Sequence, residues 1–237
     1  MVQRTAHSLS PTMLMRLFKI LLGLALIPAC LGFTWQLGET VLSLSYKPHA
    51  PWYFLAGTAA YFAAHALFRR PIITYVFGHE LTHALFAVLF GGSVKSFHAS
   101  ERGGRVTVTR TNVVITLAPY FFPLYTFAVL ALYWLSRLAD LRGAEGWLVL
   151  LAGATFAFHL LLTFIFLQSD QDDIREQGAI FSYPLIYLFN VVFAALLVGV
   201  LLSEEMDYVR FLAGGIIKSI DMVRRAMGMA AGLAQGL

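Results

Sequence analysis

Six stretches of this chain are almost free of charge, at about 20–38, 51–68, 71–94, 113–136, 147–169 and 177–203. Each approaches or exceeds the roughly 20 residues that carry a helix across a bilayer. In hydrocarbon the backbone amides of such a run must be satisfied within the run itself, which selects the helix. Charged residues make up only 13% of the 237, against roughly a quarter in soluble domains. The expected fold class is therefore an all-α polytopic membrane protein of about six transmembrane helices. The least secure span is 51–68, which is short and carries His65.

The basic residues Arg4, Arg16 and Lys19 precede the first apolar run, as they would in a signal peptide. The n-region is long for one, and the apolar stretch continues past Cys30, so a retained first span is expected. Cys30 is the only cysteine, which excludes an intrachain disulfide and a multi-thiolate metal site. Any metal here must be held by His and carboxylate. The net charge of +4 suits cytoplasmic loops of a membrane protein and gives no reason to invoke nucleic acid. With six alternating spans, Lys47, Lys95, Arg102, Arg105, Arg110 and Arg175 fall on one side and the other eleven of the 17 Lys and Arg on the side of both termini. That bias places both termini in the cytoplasm and the loops after spans three and five opposite them.

Connections between spans are short, so the chain reads as an N-terminal span and loop (1–50), a membrane-embedded core (51–203) and a C-terminal tail (204–237). Two connections stand out. Residues 91–112, "GGSVKSFHASERGGRVTVTRTN", place alternating strand formers on either side of "ERGG" and predict a small β-hairpin. Residues 168–178, "QSDQDDIREQG", are too charged for lipid and belong in water or in a polar cavity. Pro119 and Pro123 should bend or break the fourth span near its start. The tail mixes apolar residues with Lys218, Arg224 and Arg225 and reads as an interfacial amphipathic helix.

The chemistry is concentrated in "TYVFGHELTHALFAVLFGG", where His79, Glu80 and His83 interrupt an apolar run. Residues four apart share a helix face, so His79 and His83 can present two imidazoles to one metal ion. Glu80, one residue after the first His, stands beside that ion, where it can take a proton from a water. This is the HExxH pattern of zinc peptidases. At about 1.5 Å per residue from Pro71, His79 lies on the order of 13 Å into its span. A carboxylate at that depth costs on the order of 2.5 kcal/mol unless it is paired, hydrated or protonated. The apolar surroundings thus favour a metal site over a chance match. Catalytic zinc usually has three protein ligands and one water. The third can come from the acidic connection at 170–173, from His159, His65 or His98; a carboxylate is expected, with the three histidines in hydrogen-bonding roles.

The stretch "FGHELTHALFAVLFGGSVKSF" resembles the site-2 protease family of intramembrane zinc metalloproteases, in its short bacterial form without a PDZ domain. The HExxH helix, the turn at Gly91 and Gly92, the 94–110 hairpin and the Pro-containing "LAPYFFPLY" carry the resemblance, which runs from about Pro71 to Phe193. It implies zinc as cofactor, His79 and His83 as ligands, Glu80 as general base and an Asp near the start of a later span as third ligand. Asp173 is preferred for that ligand and Asp170 is second; "SDQDDIREQG" stands where the family carries Asn-Pro and later Asp-Gly. The implied activity is hydrolysis of peptide bonds in a transmembrane protein substrate, in a multi-pass protein of the bacterial cytoplasmic membrane. The competing readings are a non-proteolytic metal-binding membrane scaffold of the same fold and a metal transporter or sensor. Intact Glu80 favours the enzyme, because a structural zinc site needs no base beside its ligands.

Overall fold

A computed structural model describes residues 11–68 and 70–235; Arg4, and Arg69 among the eleven basic residues assigned to the side of both termini, lie outside them. Nine helices and one hairpin are formed by the described residues: α1 (Pro11–Ser43), α2 (Ala50–Leu67), α3 (Ile72–Leu89), β1 (Val94–Ser100), β2 (Gly103–Val108), α4 (Val113–Phe121), α5 (Leu124–Leu138), α6 (Glu145–Leu167), α7 (Asp172–Gln177), α8 (Ala179–Leu197) and α9 (Tyr208–Gln235). The hairpin falls where the alternating pattern predicts it, with Val106 opposite Phe97 and Gly103 opposite Ser100.

Among the described residues, four helices are long and apolar enough to cross a membrane: Met13–Ser43, Ile72–Leu89, Glu145–Leu167 and Ala179–Leu202. A fifth crossing results if the bent pair α4 and α5 is one span. The polytopic membrane class holds, and the count stops short of six because α2 carries Trp52, Tyr53, Thr58, Tyr61 and His65 and is less apolar than the others.

Helix direction corrects the alternating scheme. Glycines let α2 and α6 approach to backbone contact, a means of packing where no hydrophobic force joins helices in lipid. A Cβ on Gly57 would stand 1.8 Å from Leu150 O, and one on Gly153 would stand 2.1 Å from Phe54 O. The neighbours run in step, Tyr53 on Gly146 near one end and Tyr61 on Phe158 further along, so α2 and α6 are parallel. α1 and α8 are parallel too: Lys19 Nζ donates to Gln177 Oε1 at 2.7 Å, Gly23 abuts Ile180, and Thr34 meets Tyr187 at 2.8 Å. Strict alternation of six spans would make both pairs antiparallel. Between α2 and α6 the chain therefore completes one net crossing rather than two. The cause lies at Phe122 and Pro123, where the chain turns by 73° between α4 and α5. The acidic connection accordingly lies at the same end as the start of α1, and not opposite it as alternation predicts.

The other end is fastened by the loop between α1 and α2. Lys47 donates through its backbone to Leu202 O at 2.8 Å and through Nζ to Val200 O at 2.7 Å, capping the π-helical turn Val198–Leu202. The C-terminal α9 packs on α1 in the opposite direction. Phe211 meets Phe33, Gly214 abuts Gln36 and Ser219 abuts Gly32. Lys218 pairs with Glu39 at 2.7 Å.

Candidate metal centre

His79 and His83 lie one turn apart on α3, their rings edge to face with centroids 4.9 Å apart. Both Nε2 atoms face one carboxylate oxygen, Asp173 Oδ2, at 3.5 Å and 3.3 Å. The three donor atoms lie within 4.8 Å of one another, the one such group of His, Cys, Asp or Glu among the described residues. Asp173 reaches them because α7 folds back after α6 and buries the next residue, Ile174, against Leu117, Phe121, Phe181 and Ile186. Burial alone would raise the Asp173 carboxyl, but the imidazoles of His79 and His83 hold it well below the usual carboxylate range.

The spacing is open enough for a metal ion. Charge-assisted N–H···O contacts settle near 2.7–2.9 Å. Two donors that are each about 2.0–2.2 Å from a tetrahedral zinc stand roughly 3.3–3.6 Å apart. The two N···O separations fall in that range, and a His2Asp set is borderline-hard chemistry suited to zinc. These three residues could hold the ion.

Helix α4 completes the surroundings. His83 Nδ1 lies 2.8 Å from Ile115 O, which accepts its proton and leaves Nε2 with a lone pair for a metal. That carbonyl is available because the residue four further on is Pro119, which has no N–H to return. Asn112 caps the helix by accepting from Ile115 N at 2.9 Å. Tyr120, wholly buried, donates to Asp173 Oδ2 at 3.0 Å.

Glu80 is 8% exposed and lies under β2. A Cβ on Gly104 would stand 2.6 Å from Glu80 Oε1, so only glycine lets the strand lie this close. The carboxylate opens onto a cleft of about 580 Å³ walled by β2 on one side and by α7 on the other, with His79, His83 and Asp173 at its floor. This polar cleft supplies the route for water that a buried site requires.

Of the other sequence candidates, Asp170 sits at the rim, 77% exposed and paired with Arg175 at 2.8 Å. It is outside the three-donor group. His65 contacts Tyr61 OH at 3.3 Å on α2, and His98 is exposed on β1. His159 is buried with Nε2 3.2 Å from Asn190 Oδ1. Sequence reasoning missed Tyr120, Ile115, Gly104 and Asn190. Asn190 carried a usable signal, a lone amide in an apolar span; an aromatic such as Tyr120 in an apolar run carries none.

Together the fold and the cleft define a membrane protein with a metallopeptidase-type site. The family is also defined: the Peptidase M50B-like family model matches residues 52–169, from α2 through α6, and the chain belongs to that family, a branch of the site-2 proteases. No curated protein and no solved structure matches the chain.

Proposed function

We propose that this protein is an intramembrane zinc metalloendopeptidase that hydrolyses peptide bonds of membrane-protein substrates. The observation that carries the reading is the convergence of His79, His83 and Asp173 beside a buried carboxylate that is not one of the three. His79, His83 and Asp173 hold the zinc and Glu80 is the general base. When bound, zinc lends Lewis acidity to the attacking water and to the scissile carbonyl. Glu80 takes the proton from that water as it attacks and returns it to the departing amine nitrogen. His83 keeps its productive tautomer through Ile115 O, and Gly104 keeps the strand from displacing Glu80. The floor of the cleft is walled by helices, so the substrate enters as an extended segment from the side of β2 and α7.

The test is a search for new N-termini in membranes that contain the protein. Cleavage within or next to transmembrane segments is expected, lost on chelation and regained when zinc is restored. A scaffold of the same fold would bind the zinc and produce none.

The end that bears the cleft carries Arg16 and Lys19 directly before the first span, with Arg70, Arg102, Arg105 and Arg175; the other end carries Lys47, Arg137, Arg142, Arg210 and Lys218. By the positive-inside rule, in which the charges flanking the first span usually dominate, we place the cleft on the cytoplasmic face of a bacterial cytoplasmic membrane. In a Cys30→Ser background, an impermeant maleimide should label Glu101→Cys only in inverted vesicles and Glu204→Cys only from outside intact cells. The opposite pattern would reverse the orientation.

A further inference from the structure

Tyr120 touches two of the three candidate ligands. Its ring edge packs on His79, with centroids 5.0 Å apart at 84°. Its hydroxyl donates to Asp173 Oδ2, the same oxygen that faces both Nε2 atoms, and has Gln171 Oε1 at 3.3 Å as a second acceptor. A carboxylate oxygen has two lone-pair directions, so Oδ2 can serve the imidazole side and the tyrosine at once. Without that proton, Asp173 on a helix of a turn and a half is free to rotate toward the open cleft.

The hydroxyl is itself held from behind. The helical partner of Tyr120 O would be Leu124 N, but the break at Pro123 turns that N–H to Phe122 O at 2.8 Å. Asn190 Nδ2 takes the vacated carbonyl at 3.0 Å, and Asn190 is secured in turn by Ile186 O at 2.9 Å and His159 Nε2. His159 of α6 and Asn190 of α8 thus stand behind Tyr120, and through it behind the site.

We infer that Tyr120 is a positioning residue: its hydroxyl aims the Asp173 carboxylate at the imidazole pair. The inference rests on the metal reading above. Ligating carboxylates are commonly fixed by such outer hydrogen bonds, whose loss weakens metal binding by roughly 10- to 100-fold.

The experiment is titration of the metal-free full-length protein in detergent with Co²⁺, read by its d–d absorption and by affinity. Wild type is expected to bind one ion. Tyr120→Phe should bind it about 10- to 100-fold more weakly with shifted d–d bands, while circular dichroism of the apoprotein is unchanged. Gln171→Ala should match wild type, because that acceptor is not a ligand. If Tyr120→Phe does not fold, Asn190→Ala carries the same test, with a smaller shift in the same direction. Wild-type affinity and spectrum in the folded variant would overturn the inference and leave the metal site standing. Failure of wild type to bind Co²⁺ would overturn the metal reading and this inference with it.

Discussion

Glu80→Gln is expected to lower the turnover of a cleaved substrate by about 10²- to 10⁴-fold, the range that general acid–base groups contribute. Zinc content should stay at the wild-type level. The two halves follow from geometry. Glu80 is not part of the three-donor group, so the ion loses no ligand. Glutamine has the same shape, so the contact with Gly104 and the packing under β2 survive. What disappears is the ability to accept a proton from water and deliver it to the amine. Steady-state turnover with metal analysis of the same preparation checks both halves, and cleavage at the wild-type rate would remove Glu80 from the mechanism.

The second large effect concerns the acidic connection. Asp173→Ala should weaken zinc binding by more than about 100-fold, since even outer hydrogen-bonding partners cost 10- to 100-fold. Activity should fall with it at limiting zinc. Asp170→Ala should retain both, because Asp170 is exposed and spends its charge on Arg175. Equal losses in the two variants would mean that the connection acts as a unit and that Asp173 has no special place.

The helical pair His79 and His83, with Glu80 between, was legible in the sequence because the α-helix alone brings these residues together. Asp173 was preferred to Asp170 only through the family resemblance, by its nearness to the following span. The decision is made by tertiary packing, through Ile174 docking on α4 and α8 and thereby turning its neighbour inward. Hairpin position was legible from alternation in 94–110. Span direction was not, because apolar composition records that a segment suits lipid and carries no arrow. A turn of 73° at Pro123 leaves hydropathy unchanged and reverses the expected side of the cleft. Tyr120 and Ile115 were invisible for a similar reason: one contributes a hydroxyl from an ordinary aromatic, the other a carbonyl that is free only because Pro119 follows it four residues later.

That carbonyl also bears on biogenesis. The imidazole of His83 is oriented by α4, and the third donor arrives on α7, far downstream in synthesis. A nascent chain that has inserted α3 alone therefore carries a histidine pair without its orienting acceptor or its carboxylate. On the function proposed above, the three-donor group would be assembled only after α4 has docked and α7 has folded back, so that the chain would pass through the insertion machinery in an unarmed state.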